Sequence, residues 1–175
     1  MKKSVFILMC LIFSAPLFGQ QSCLDYVIDE WDDSRYHVQL IGQDQVVTDL
    51  KTNLMWKQCS EGLSAADCSV GSLVSLNWQE ALNVPVTVNN TTGYAGFNDW
   101  RLPNVKELSS LVARNCSFPS INTNIFPNNP TTWIWSASPF LDADANTAWF
   151  VDFFSGPAGI DFRIFGNFIR LVRSN

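Results

Sequence analysis

Charge is scarce in this chain. Asp, Glu, Lys and Arg make up 15% of the 175 residues against 47% hydrophobic, which excludes the low-hydrophobicity, high-charge composition of a disordered protein. Basic residues are scarcer still: 11 Lys and Arg face 16 Asp and Glu, for a net charge of −5. Nucleic acid and anionic lipid surfaces select for basic patches, so neither is an expected partner. The single histidine, His37, and the lack of any Cys-x-x-Cys pair argue against a structural zinc site. No Gly-x-Ser-x-Gly elbow surrounds a serine, and spacing gives His37 no partner, so no catalytic constellation is legible. Collagen-like tracts, heptads and internal repeats are missing too. At roughly 100–200 residues per domain, the length fits one domain.

What is present begins with a leader. Lys2 and Lys3 precede an apolar run of nine, Val5–Phe13, and small or polar residues follow at Ser14, Ala15, Pro16 and Gly19. This is the form of a secretory signal peptide, expected over 1–19, and nine residues cannot span a bilayer. Its loss removes two bases and no acid, leaving nine bases against the 16 acids and a net charge of −7. The mature chain is expected to be exported, periplasmic or extracellular, with no membrane insertion after cleavage. Four cysteines remain, Cys23, Cys59, Cys68 and Cys116, an even number that reads as disulfides with three connectivities open. Cys59–Cys68 around the turn-rich Ser60–Ser64 stretch, with a long Cys23–Cys116 bridge, is the favoured pairing.

Residues 20–44, rich in Asp, read as an N-terminal arm, and 45–175 as the folded domain. Val46-Val47-Thr48, a turn ending at Asn53, and Leu54-Met55-Trp56 predict a β-hairpin. Asn77 with Glu80, and Asn104 with Glu107, are capping-box pairs that predict two short helices. Trp78, Ala81 and Leu82 form the buried face of the first, which Pro85 should end; Val105, Leu108, Leu111 and Val112 form the stripe of the second. Residues 86–98 and 115–132 read as loops. Strands at Trp133–Ser136, Ala148–Phe154, Ile160–Phe165 and Phe168–Arg173 follow, the last three expected as a meander. The class is α+β: two short helices on small antiparallel sheets with long loops, braced by disulfides.

Chemistry-bearing candidates are few. Asp142, Asp144 and Asn146 alternate oxygen ligands as an EF-hand loop does at its start. Thr147 replaces its Gly and Phe153 its bidentate Glu, so a solvated polar loop is the favoured reading. No resident cofactor or metal is expected; calcium at this loop is the one candidate. Polar loops at Asn89–Phe97 (running up to Asn98), Asn128–Trp133 and Asp142–Asn146 are the candidate binding surface, with the aromatic ring of Trp133 suited to stack on a sugar. Asp99-Trp100-Arg101-Leu102-Pro103-Asn104 reads as structural, because each residue has a folding task at the start of the second helix.

An ordered series of motifs carries a resemblance. It comprises Thr48-Asp49-x-x-Thr52-Asn53-Leu54-Met55-Trp56, Trp78-x-x-Ala81-Leu82, and Asp99 to Asn104 continued by Lys106-Glu107-Leu108. Phe126-Pro127, Trp135-Ser136-x-Ser138, Ala148-Trp149-x-Val151-x-Phe153 and Val172-Arg173 complete it. The series resembles the Lcl C-terminal domain family, named for the Legionella collagen-like adhesin, over about Val46 to Arg173. Cys59 and Cys68 after the first tryptophan are similar to family members as well, whereas Asn53 stands where the family usually has Gly. The resemblance implies a C-type-lectin-like fold shared with formylglycine-generating enzymes. The adhesin is associated with sulfated glycosaminoglycans and a collagen-like stalk; this chain has neither stalk nor basic surplus, and no Cys follows Cys116 to supply an oxidase pair. The expectation is a non-enzymatic binding module for a glycan or protein ligand. The alternative is an envelope enzyme, metal-dependent through the Asp142–Asn146 loop.

Overall fold

The computed structural model describes residues 21–141 and 146–175. The expected leader, and Asp142 and Asp144 of the candidate calcium loop, lie outside the described residues. The strands run β1 (Ser22–Cys23), β2 (Tyr36–Ile41), β3 (Asp44–Asp49), β4 (Leu54–Lys57), β5 (Leu63–Ser64) and β6 (Val70–Gly71). Helices α1 (Trp78–Asn89) and α2 (Val105–Ser109) follow, then β7 (Cys116–Ser117), β8 (Trp133–Pro139), β9 (Thr147–Asp152), β10 (Ala158–Phe162) and β11 (Val172–Ser174). The larger sheets are four-stranded in the order β11-β4-β3-β2 and three-stranded in the order β10-β9-β8, with small ladders β1–β7 and β5–β6. All these ladders are antiparallel. The α+β class expected from the sequence is the class observed.

The β3–β4 hairpin forms because Asn53 adopts a left-handed backbone (φ 55°) while its N–H returns to the Asp49 carbonyl at 2.8 Å. Both helices start at their expected capping boxes, with Asn77 and Glu80, then Asn104 and Glu107, exchanging side chain-to-backbone bonds in both directions. The disulfides are Cys23–Cys116 and Cys59–Cys68. Cys23–Cys116 holds β1 on β7; Cys59–Cys68 encloses the turn that leads into β5.

Three expectations are corrected. First, Pro85 does not end α1, which continues to Asn89. Trp78, Ala81 and Pro85 are buried at i, i+3 and i+7, so proline extends the packed stripe. That packing outweighs the roughly 3 kcal/mol of a missing helical bond. The Asn89 amide then holds the Trp100 backbone through both its groups, at 2.7 and 3.0 Å, so residues 86–89 are helix rather than loop. Second, Tyr36–Ile41, placed in the arm, forms the outer strand β2, in register from Tyr36↔Asp49 to Ile41↔Asp44. Of its residues only Tyr36 is buried, so backbone pairing rather than an apolar face holds it. Third, the meander is β8-β9-β10, and the last strand leaves it. Phe168 bonds to β8 through Trp133 and Trp135, Leu171 accepts from Lys57 N–H, and Val172 pairs with Trp56 of β4. Residues 169–172 are wholly buried, so this segment joins the two sheets instead of lining an edge.

Adjacent residues in the inner strands serve two separate cores. Val47, Trp56, Ile134, Val151 and Val172 pack with Leu108, Leu111 and Phe126 around the α2 side. Their neighbours Val46, Met55, Trp135, Phe150 and Leu171 pack with Trp78, Ala81, Trp100 and Leu102 around the α1 side. A strand sends successive side chains to opposite faces, so strands apolar on both faces read as unbroken apolar runs. Arg170 is buried between Ile169 and Leu171. Its guanidinium donates to the carbonyls of Lys57 (2.7 Å) and Gln58, to Ser60 Oγ (3.2 Å) and to Asn129 Oδ1 (2.9 Å), over the Phe126 ring. Burial pushes this guanidinium down to about 9.

Candidate functional site

The Asp99–Asn104 stretch is occupied by structural contacts throughout. Asp99 pairs with Arg173 at 2.6 Å, and Arg173 lies over the Phe97 ring. Trp100 is 2% exposed and donates from Nε1 to the Tyr94 carbonyl at 2.9 Å. Arg101 grips Glu107 with two bonds, at 2.7 and 2.8 Å, while its backbone bridges Val172 in both directions. Leu102 and Pro103 are buried, and Asn104 caps α2. Burial alone would raise the Glu107 carboxyl; the Arg101 fork and the Asn104 N–H outweigh it and hold the group below its ordinary value.

The loop candidates do not converge. Trp133 is 41% exposed, with its ring stacked on Phe150 at a centroid distance of 4.4 Å. Asn98 is exposed beside Gly93, and Asn146 is exposed next to β9. Asn128 is tied to the Asp67 carbonyl and Asn129 to buried Arg170, so that stretch is largely structural. None of the four grooves described below is lined by Trp133, Asn98 or Asn146. Among the described residues, no three His, Cys, Asp or Glu side chains gather in a metal-holding group.

A cleft of about 890 Å³ lies under the N-terminal segment. Most of its polar groups are engaged: Asp29 and Asp32 cap local turns, Asp33 holds Asn122 and Asn124, and Gln21 reaches the carbonyls of Pro119 and Ile121, while Asn115 Oδ1 is buried with no partner among the described residues. The α2 side differs. A groove of about 410 Å³ runs between Lys106, Ser109, Ser110 and Arg114 on one wall and Trp149 and Ala158 on the other. Ser109 and Arg114 are shared with two further grooves, of about 470 and 640 Å³, so the three form one surface around Arg114.

Local sequence explains this wall. Leu108, Leu111 and Val112 turn α2 and its continuation toward the core, which leaves Lys106, Ser109 and Ser110, at i, i+3 and i+4, on the outer face. Trp149 is half-buried, its carbonyl held by Ser136 Oγ at 2.8 Å and its ring met edge-on by Phe140 at 5.5 Å. The side chains of Lys106 and Arg114 are exposed and form no hydrogen bond or ion pair among the described residues. Other cations are engaged: Arg35 pairs with Asp49 (2.6 Å), Lys51 with Glu30 (2.9 Å) and Lys57 with Glu61 (2.6 Å), while Arg163 and Arg170 donate to carbonyls. The arrangement sets an aromatic face across a groove from two cations in no ion pair and two serine hydroxyls, that of Ser110 donating to the Glu107 carbonyl. Trp149 entered the sequence reading only as part of the motif series, and Arg114 did not enter it. The polar i, i+3, i+4 triplet opposite the buried stripe was the available signal.

A search of curated proteins finds no match to the chain. Among the described residues no helix is long and apolar enough to cross a membrane. The family model described as the Lcl C-terminal domain matches residues 45–173, most of the chain, from the first strand of the β3–β4 hairpin to β11. The chain belongs to the Lcl C-terminal domain family.

Proposed function

We propose that this chain is an exported, non-enzymatic binding module that offers the Trp149 groove to a saccharide. The observation that carries the reading is the half-buried Trp149 ring across a groove from Lys106 and Arg114, neither of which forms a hydrogen bond or ion pair among the described residues, although Arg114 acts through space on Glu30. An aromatic face suits the apolar face of a sugar ring, and the cations and serine hydroxyls beside it suit its oxygens. Two disulfides support passage through an oxidising compartment, periplasmic or extracellular. The C-type-lectin-like arrangement is part of the same proposal. It is supported by family membership and by β11 returning to β4 to close the four-stranded sheet.

The test is a glycan array on the mature, disulfide-bonded chain, with and without a calcium chelator, followed by titration of the best saccharide. Trp149→Ala should weaken binding at least about tenfold, near 1.4 kcal/mol, and the parent should keep its affinity in chelator. Undiminished binding by Trp149→Ala would place the site elsewhere. Steady turnover of the saccharide would overturn the non-enzymatic reading.

A further inference from the structure

β10 is the terminal strand of its sheet, and among the described residues no segment pairs with its outer edge. The bonds Asp152 N–H to Pro157 O (2.9 Å) and Arg163 N–H to Asn146 O (2.8 Å) show which residues face β9. They are the odd-numbered ones, so the backbone groups of Ala158, Ile160 and Phe162 point outward. The side chains of the same three residues are exposed: Ile160 is 45% and Phe162 55% accessible, and Ile164 and Phe165 extend the apolar surface past the strand. An exposed edge bearing apolar side chains is a template for strand pairing.

We propose that this edge pairs antiparallel with β10 of a second copy, about a two-fold axis through Ile160. In that register Ile160 meets its own counterpart in a hydrogen-bonded pair. Phe162 lies across from Ala158, large against small, and Asp161 from Gly159. Charge selects this centre over its neighbour, because a pairing centred on Asp161 would set two carboxylates directly opposite each other, which is destabilising. A centre on Phe162 would need residues 163–165 extended, and they form a turn; in the Ile160 register the Phe162 carbonyl, which accepts Phe165 N–H in that turn, offers only its second lone pair to Ala158 N–H of the other copy.

The pairing makes one six-stranded sheet. Trp149 lies directly across from Ile160 within each copy. The row Trp149, Ile160, Ile160 and Trp149 therefore crosses a single face, with the two tryptophans about 14 Å apart at about 4.8 Å per strand. Two copies of the proposed saccharide groove would then look the same way. The pairing stands on the edge geometry alone and does not rest on that function. One strand per side gives an interface below the roughly 1,200 Å² of a standard complex, so the dimer is a concentration-dependent one.

Sedimentation of the disulfide-bonded mature chain from micromolar to millimolar concentration should show its mass doubling, and Ile160→Lys should hold it at the monomer mass with unchanged circular dichroism. Ile160→Cys should yield a disulfide-linked dimer on mild oxidation, since paired Cα atoms about 5.5 Å apart suit that bond. Asp161→Cys should cross-link far less, and peptide mapping would confirm that the two native disulfides persist. Trp149→Ala should bind saccharide at least about tenfold more weakly yet keep the dimer mass, so the two readings fail separately. A parent that stays monomeric, a trimer, a dimer that survives Ile160→Lys, or cross-linking stronger at Asp161→Cys would each overturn the proposal.

Discussion

Replacing Arg170 by lysine should damage the protein more than replacing it by methionine. The guanidinium meets four acceptors at full burial, two of them main-chain carbonyls, and no carboxylate among the described residues contacts it. Lysine keeps the buried charge but loses the planar fork, so it cannot serve all four acceptors. Breaking a buried charged network of this kind costs about 3–5 kcal/mol. Methionine orphans the carbonyls of Lys57 and Gln58, at about 1–3 kcal/mol each, while Ser60 and Asn129 can turn to other partners. It also releases the desolvation penalty of the charge, several kcal/mol, so its net loss is at most about 3 kcal/mol. Thermal and urea unfolding of both variants, with disulfides intact, would read the order directly. At about 2–4 °C per kcal/mol, Arg170→Lys should melt about 6–20 °C below the parent. A lysine variant within 1 kcal/mol of the parent, or a methionine variant less stable than the lysine one, would refute the reasoning.

Trp100→Ala should cost about 3–5 kcal/mol in urea unfolding, because a fully packed ring is lost and the Tyr94 carbonyl loses its donor; an unchanged midpoint would mean that Trp100 is not core. The acid limb should report Asp49. Burial raises this carboxyl, but bonds from Arg35, Thr52 and Lys51 N–H outweigh it and hold the group below its ordinary 3.8. A depressed folded-state value means that the contribution is full above 3.8 and is lost as pH falls through the folded value. The stability gap between parent and Asp49→Asn should therefore be widest near neutrality and shrink below 3.8; a gap independent of pH would show that the Asp49 charge contributes nothing.

Local signals in the sequence were legible, as was the long Cys23–Cys116 bridge, whereas the strand partners set by distant contacts were not. Asn53, Asn77 with Glu80, and Asn104 with Glu107 act within a few residues, so turn and capping chemistry is legible without knowledge of the fold. The pairing of Cys59 with Cys68 is similarly local. Pro85 was misread because its helical cost is a local quantity, whereas the packing that offsets it comes from the distant α1-side core. β2 was hidden because its Tyr36, Val38 and Leu40 alternation sits just beyond a run of acids, and as an outer strand it buries only Tyr36. The destination of β11 depends on Arg101 and Trp56, which lie far away in sequence. The Trp149 groove required both α2 and the meander to be in place, and no spacing along the chain brings Arg114 to that ring.

The shared strands have a consequence for how the chain finds its alignment. In a sheet with one wet face, a one-residue slip turns apolar side chains outward and is rejected by water. Here Met55 and Trp56, or Phe150 and Val151, would trade places and both remain buried. Hydrophobicity therefore cannot proofread these strands. Discrimination falls to shape, at about 1–3 kcal/mol per overpacked position, and to polar groups fixed along the chain. The left-handed Asn53 sets where β4 begins, and Arg170 accepts a β4 that arrives with the carbonyls of Lys57 and Gln58 at its guanidinium. The buried charge that makes this core costly is thus also its alignment key.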